Sequence, residues 1–138
     1  MTHDTAKDLY FAVGKHGSPD ADADFKAIAE ATRARLKALS AALYPCYEAA
    51  RAAGDDDRAD ALDNAISRID ILWISVGQAL VRFLDQSADV AAARTSIEAI
   101  NCKLEDAHDQ SEKMAADLGK VTKVLGDLTK LIGWVEKA

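Results

Sequence analysis

Proline is nearly absent from this 138-residue chain, which holds only Pro19 and Pro45. No segment alternates apolar and polar residues with an enrichment of β-branched side chains, so nothing in the sequence indicates a strand. Aromatic residues make up only 6% of the chain, whereas alanine is abundant. Close packing of helices through small side chains is therefore favoured, and we expect one all-helical domain over residues 1–138.

A net basic charge is also lacking, because 23 acidic residues outnumber 17 basic ones and the formal net charge is −6. Binding to a nucleic-acid backbone depends on clustered lysine and arginine, so we expect no nucleic-acid partner. The C-terminal tail, residues 118–138, differs from the rest. It carries four lysines against Asp127 and Glu136, a net charge of +2, so the preceding 117 residues hold −8. This asymmetry marks the tail as chemically distinct.

Cysteines and long apolar runs are few. Cys46 falls on the apolar face of the first long helix and Cys102 points outward, so no bridge and a reducing cytoplasm are expected. The most apolar window, residues 71–84, is too short and too polar to span a bilayer. The first residues contain no apolar run of signal-peptide length, so secretion by that route is not expected.

Motifs for catalysis are missing as well. No Gly-rich phosphate loop, Cys-x-x-Cys or Ser/His/Asp set occurs in the sequence. Glu105 stands three residues before His108, with Glu112 one turn later, which is half of the di-metal arrangement of carboxylate bundle proteins. The required second copy is absent. We therefore expect no metal site, no cofactor and no enzymatic activity.

Helix stops and starts are clearest in the first half of the chain. Gly54 followed by three aspartates at 55–57 ends one helix and caps the next, and so short a link makes the two helices antiparallel neighbours. Before it, residues 1–17 form a short N-terminal arm and residues 19–53 a first long helix. Pro45 lies inside that helix, so we expect a kink or a short break over residues 41–45.

The second helix has an unusually wide apolar surface. Its main stripe includes Ile69, Trp73 and Val76, and Ile71 and Ile74 extend the apolar surface almost all round. Such a helix belongs at the centre of a bundle or beneath a partner. A change in the phase of the apolar stripe predicts that the helix ends in a turn near residues 85–88.

Beyond that turn, apolar residues recur at positions a and d of a heptad over residues 90–135. An unbroken helix over residues 88–137 would be about 75 Å long, far longer than its neighbours. It therefore either overhangs and pairs with another chain or breaks at residues 108–111, where Asp109 and Glu112 could form a capping box. We predict an antiparallel up-down bundle of three long helices, the last whole or split to give four, with a coiled-coil-like C-terminal segment.

The tail is three near-copies of one seven-residue unit, LGKVTKV, LGDLTKL and IGWVEKA. One outer line of the heptad, position b, changes from acids to glycines. Each glycine costs a helix about 1 kcal/mol relative to alanine, so a close partner backbone would explain them. Alternatively, the glycines face water. The candidate partner-binding residues are Glu98, Glu105, Glu112, Gly119, Gly126 and Gly133, together with Trp134 near the end of the tail.

These patterns favour a non-enzymatic helical interaction protein, such as an adaptor, chaperone or inhibitor-like module. It would bind a protein partner, in the first place a second copy of itself, through the C-terminal heptad helix. One alternative is a peripheral membrane-active protein that uses the amphipathic segment 118–138. Another is a small-molecule-binding bundle with a pocket near Pro45, Tyr47 and Trp73.

Overall fold

The computed structural model describes the backbone of residues 21–86 and 90–137, and the side-chain surroundings of residues 26–79 and 93–136. Within these residues the chain forms four packed α-helices and no strand, which confirms the predicted all-α bundle. The helices are α1 (Ala21–Ala52), α2 (Asp56–Gln86), α3 (Val90–Glu112) and α4 (Leu118–Lys137). The predicted N-terminal arm, residues 1–17, lies outside the described residues.

The turn between α1 and α2 has the predicted chemistry. Gly54 adopts a left-handed φ of 76°, which glycine reaches without a steric penalty. The amide of Asp55 donates to the Ala50 carbonyl (2.9 Å) and the amide of Gly54 to the Arg51 carbonyl (3.1 Å). These two bonds satisfy the last carbonyls of α1 in a Schellman motif. Asp55 Oδ1 then accepts from the Arg58 amide (3.2 Å) and caps α2.

Pro45 does not interrupt α1, which is continuous from Ala21 to Ala52. The carbonyl that loses its hydrogen bond to this proline belongs to Ala41. Both Ala41 and Pro45 lie on the exposed side of the helix, where water can satisfy that carbonyl. Of the two predicted outcomes, the break is therefore wrong.

The predicted split of the last helix does occur, but later in the chain than expected. α3 ends at Glu112 and α4 begins at Leu118. The amide of Ala115 donates to the Gln110 carbonyl (2.9 Å) and the amide of Met114 to the Ser111 carbonyl (3.0 Å). This is the same Schellman pairing as in the first turn, and Met114, with a φ of 59°, occupies the position of the glycine.

The capping box proposed for Asp109 and Glu112 is therefore wrong. Both residues belong to the last turn of α3, and Asp117 caps α4 instead, with its Oδ1 accepting from the Lys120 amide (3.2 Å). A glycine or proline usually marks the end of a helix in a sequence. No glycine or proline stands between Glu112 and Asp117, where Met114 takes the left-handed position, so nothing in the sequence signals the end of α3.

The four helices are arranged as two hairpins placed side by side. α1 packs against α2 and α3, and α4 packs against the same two helices, so α2 and α3 face each other diagonally although they are consecutive. Direct contacts show that α1 runs parallel to α3 and α2 runs parallel to α4. These contacts are Arg35 with Glu105, Cys46 with Ser111, Arg58 with Ala116, and Arg68 with Thr129.

Both described turns consequently lie at the same end of the bundle. Arg58 Nη2 donates to the Ala116 carbonyl (3.1 Å) there and ties one turn to the other. The opposite end contains the reversal between α2 and α3. Of the turn predicted at residues 85–88, residues 85 and 86 still belong to α2, and residues 87 and 88 lie outside the described residues.

The core is built from the predicted heptad positions of α3 and α4 together with the inner faces of α1 and α2. Its fully enclosed large side chains include Leu36, Leu39, Leu43, Leu62 and Ile69. Two residues at the predicted a and d positions depart from the pattern, since Met114 is exposed in the turn and Leu118 is only partly buried. The residues at positions a and d that are buried are Ala93, Ile97, Ile100, Leu104, Ala107, Ser111, Val121, Leu125, Leu128, Ile132 and Val135.

The two turns allow a matched test of the left-handed positions. Met114→Gly removes the strain of a side chain at positive φ, so we expect the free energy of unfolding to rise by about 0.5–1 kcal/mol. Gly54→Ala introduces that strain, although no atom lies within 4 Å of the added Cβ, and should lower it by about 1 kcal/mol. Urea unfolding followed by circular dichroism measures both.

Ala115→Gly is the control for Met114→Gly, because it adds a glycine to the same turn at a residue without positive φ. It should leave the free energy of unfolding unchanged or lower it. If Met114→Gly is no more stable than Ala115→Gly, the left-handed methionine carries no strain.

Candidate functional site

The C-terminal helix uses its apolar face inside the bundle. Val121, Val124, Leu125 and Leu128 are each at most 1% exposed, and Val135 is nearly as well covered. The membrane alternative requires the apolar face of the amphipathic segment 118–138 to be exposed, whereas most of that face is buried in the described residues. In the part of the chain that the structure describes, no helix is long and apolar enough to cross a membrane.

The line of glycines meets no closely approaching helix within the chain. A Cβ added at Gly133 would contact nothing, and one added at Gly126 would reach only Arg68 Nη2, at 3.9 Å. At Gly119 the nearest group is the capping carboxylate of Asp117, at 3.2 Å. The backbone geometry of this chain therefore does not require these glycines.

The acidic and glycine residues do not form one continuous surface, because the break at Met114 separates them. Glu105 pairs with Arg35 of α1, whereas Gly126 lies beside Arg68 of α2. Glu98 is half-buried and Glu112 is exposed near His108. The acidic residues of α3 and the glycines of α4 therefore share a heptad position, but Glu105 borders α1 and Gly126 borders α2.

The Arg35–Glu105 pair is part of a polar seam between α1 and α3 that sequence reasoning missed. Arg35 is 3% exposed, and its Nη2 donates to Glu105 Oε2 at 3.4 Å. Asn101 is buried on the same helix as Glu105, and neither of its amide atoms has a hydrogen-bond partner. Buried polar groups of this kind contribute little net stability, because the cost of desolvation offsets their attraction.

Trp134 lies apart from that seam, at the outer junction of α3 and α4. It is 43% exposed and lines a groove of about 460 Å³ with Leu131 and Ile100. Lys103 Nζ contacts Asp127 Oδ2 at 3.2 Å across the same junction. Of the predicted partner-binding residues, Trp134 is the only large apolar side chain that is accessible.

Most of the exposed large apolar side chains lie elsewhere, on α1 and α2. Tyr44, Ile71, Trp73 and Ile74 are 52%, 64%, 37% and 55% exposed, and they are four of the six large apolar side chains exposed in the described residues. Clustered apolar side chains on a surface mark interaction sites in folded proteins, and two of these four, Trp73 and Ile74, line one groove. We call these four residues and the groove beside them the α1/α2 surface.

The groove of this surface has a volume of about 510 Å³ and lies where α1 and α2 meet. It is lined by Lys37, Ser40, Ala41, Ile69, Asp70, Trp73 and Ile74. Pro45 and Tyr47, predicted to belong to a pocket with Trp73, are not among these residues. Pro45 is exposed, and Tyr47 packs against the core, with its ring centroid 5.9 Å from that of Tyr44.

Trp73 is held in place by Arg33 of α1. The Arg33 guanidinium lies 3.6 Å from the centre of the Trp73 ring, and its Nε donates to the Trp73 carbonyl (3.1 Å). Gly77 lies beside this contact, and a Cβ there would lie at an ordinary van der Waals distance, 3.4 Å, from Arg33 Cζ. A cation over an indole fixes the ring before any partner arrives, which lowers the entropy cost of binding.

The charges on the two halves of the surface have opposite signs. The accessible acidic residues of α2 are Asp56, Asp57, Asp60, Asp63 and Asp70. The two arginines of α2 in the same span, Arg58 and Arg68, reach toward Ala116 and Thr129 on the α4 side. On α1 the accessible charges are Lys26, Arg33, Lys37 and Arg51 against Glu30 and Glu48. The surface is therefore basic along α1 and acidic along α2.

Comparison of this chain with protein-family models, with curated proteins and with solved structures found no match.

The Arg35–Glu105 pair predicts that removing one partner costs more stability than removing both. In Glu105→Ala the almost fully enclosed guanidinium of Arg35 loses this carboxylate, so we expect the free energy of unfolding to fall by about 2–3 kcal/mol. The double variant Arg35→Met/Glu105→Ala removes the buried charge as well and should recover at least about 1 kcal/mol of that loss. Denaturant unfolding of the three chains measures both differences.

Glu98→Ala is the control, since Glu98 lies one heptad earlier on the same face of α3 and is half-buried as well. Its effect should stay within about 0.5 kcal/mol. A double variant no more stable than Glu105→Ala would show that the pair is not coupled.

Proposed function

We propose that this chain is a non-enzymatic helical interaction protein that self-associates as a homodimer through the α1/α2 surface. The observation that carries the proposal is that Trp73 and Ile74 are exposed and line the groove between α1 and α2, with Tyr44 and Ile71 exposed on the same two helices. Within the described residues α2 packs mainly against α1 and α4, and the exposed Ile71 and Ile74 are not part of the core. A helix with so wide an apolar surface belongs either at the centre of a bundle or beneath a partner. A position beneath a partner accounts for the exposed Ile71 and Ile74.

A second copy is the favoured occupant because the surface is complementary to itself. A two-fold axis parallel to the helices would place α1 of one copy against α2 of the other, in antiparallel orientation. The basic side of each copy would then face the acidic side of its partner, with Lys37 opposite Asp70 on both sides of the two-fold axis. Opposite charges at the rim favour this register, and the apolar side chains supply the buried centre.

The size of the surface also suits a dimer. The described part of α1, residues 26–51, is about 37 Å long, and two packed helices are about 20 Å wide. The joint face therefore covers about 700 Å², close to the roughly 800 Å² per partner of a standard interface. Trp73, already ordered by Arg33, suits the role of a central anchor.

The heptad repeat of the C-terminal helix takes a different role in this proposal. Its apolar stripe supports the monomer, and association uses the other hairpin. A coiled-coil contact between copies through α4 would have to use the outer residues, of which Trp134 is the most accessible. The exposed thiol of Cys102 is consistent with a reducing compartment such as the cytoplasm.

Small-molecule binding in the α1/α2 groove is the second candidate. The volume of about 510 Å³ lies within the range of ligand pockets, and Trp73 with Asp70 offers a ring face beside a carboxylate. A ligand that raised the melting temperature of the wild type but not of Trp73→Ala would favour this candidate.

Charge exchange tests the dimer. Lys37→Asp and Asp70→Lys, made as separate variants, each place like charges opposite one another across the two-fold axis. We expect each to dimerise about tenfold more weakly than the wild type. In an equimolar mixture both opposite-charge pairs are restored, so the two variants should form a heterodimer. Sedimentation velocity at low ionic strength measures all three samples.

Two further variants distinguish an interface on the α1/α2 surface from one on α4. Ile74→Lys puts a charge into the apolar centre and should abolish association, whereas Trp134→Lys, at a comparably exposed apolar residue on α4, should not. A wild-type chain that stays monomeric up to about 100 µM contradicts the proposal. Loss of association in Trp134→Lys but not in Ile74→Lys would move the interface to α4.

A further inference from the structure

The last turn of α3 carries a cluster of three potential metal ligands. His108 is buried, and its Nδ1 lies 3.3 Å from Asp109 Oδ1 and 3.5 Å from Glu112 Oε1. All three donor atoms lie within 4.8 Å of one another. This is not the Glu105, His108 and Glu112 set considered from the sequence, because the Glu105 carboxylate is directed to Arg35.

Two of the separations are compatible with a metal ion, although His108 Nδ1 and Asp109 Oδ1 also lie within hydrogen-bond distance. Zinc bonds to imidazole nitrogen and carboxylate oxygen are about 2.1 Å long, so two ligands of a tetrahedral ion lie about 3.4 Å apart. The distances from His108 Nδ1 to the two carboxylates, 3.3 Å and 3.5 Å, bracket this value, and the third pair of ligand atoms lies within 4.8 Å. A charge-assisted hydrogen bond would be shorter, at about 2.7–2.9 Å, and a single N–H points at one carboxylate only.

The electrostatic setting also favours a cation. Two carboxylates balance the charge of a divalent ion, and the C-terminal end of a helix carries partial negative charge on its last carbonyls. Asp109 and Glu112 are about half exposed, so an ion and its water ligand can enter from solvent. Lys103, Lys113, Lys120 and Lys123 line a groove beside Asp109 and oppose a cation there, but all four are exposed. An ammonium group on so flexible a side chain can turn into water.

We propose that His108, Asp109 and Glu112 form a Zn²⁺ site, with the imidazole and the two carboxylates as ligands and water in the fourth position. Nitrogen and oxygen ligands in this number are typical of zinc and the neighbouring divalent transition ions. The site ties together residues 108–112, the segment that leads into the turn at Met114. A bound ion would thus stabilise the end of α3.

Zinc titration of the full chain tests this site. The background variant His3→Ala/His16→Ala/Cys102→Ser removes other imidazoles and the exposed thiol. We expect calorimetry to show one Zn²⁺ per chain and the melting temperature to rise with zinc concentration. Glu112→Gln and Asp109→Asn, both at accessible residues, should each weaken binding by about tenfold or more, and His108→Ala should abolish it. Co²⁺ substitution should give the strong visible absorption of a tetrahedral ion.

Asp106→Asn is the matched control, because Asp106 is an exposed acid on the same helix that is not part of the cluster. It should leave zinc affinity within about twofold of the background variant. If the background variant binds no zinc, or if Glu112→Gln and Asp109→Asn bind it as tightly as the background variant does, the proposal is wrong. These last two variants keep the test valid even if loss of the buried His108 unfolds the chain.

Discussion

The bundle depends on how its helices end at the two described turns. The last carbonyls of an α-helix have no partner within the helix, and an end that packs against another element must satisfy them locally. In both turns a left-handed residue folds the next amide back onto those carbonyls, and an aspartate immediately caps the helix that follows. Each reversal takes only a few residues, so helices that follow one another across these turns lie side by side. The contacts between the two hairpins require both turns to be at the same end.

Sequence patterns predicted the parts of this fold that depend on local chemistry. Gly54 and Asp55 identified the first turn, because a left-handed glycine and a capping aspartate each have a specific conformational reason. The second turn was misplaced because Met114 occupies a position for which methionine has no preference. The heptad count runs from α3 into α4 without a slip, and this regularity concealed the break. Away from the break at Met114 and Leu118, the described a and d positions are nevertheless buried as predicted, since the core-facing positions there do not depend on whether the helix is continuous.

The surroundings of the candidate site residues depend on which helices are neighbours in the bundle. The composition of the sequence contains little information about which helices pack together. Glu105 was predicted on an outer surface, yet α1 packs beside α3 and brings Arg35 to its carboxylate. Trp73 was predicted within the core stripe of its helix, but it lies at the edge of the groove because Arg33 covers its ring. Most of the accessible large apolar side chains therefore lie on the first hairpin, α1 and α2, and not on the C-terminal tail. The tail is conspicuous in sequence because it repeats, whereas Ile71 and Ile74 are conspicuous only once their neighbours are known.

The side-by-side placement of the hairpins also has a kinetic consequence. Each hairpin forms by closing a connection of a few residues, which costs little chain entropy. Docking the hairpins instead joins residues far apart in the chain, such as Arg35 with Glu105 and Cys46 with Ser111. Contacts of such long sequence separation slow the folding of a helical protein. We therefore expect docking of the two hairpins, in which the polar seam between α1 and α3 must find its register, to be slower than closure of either turn.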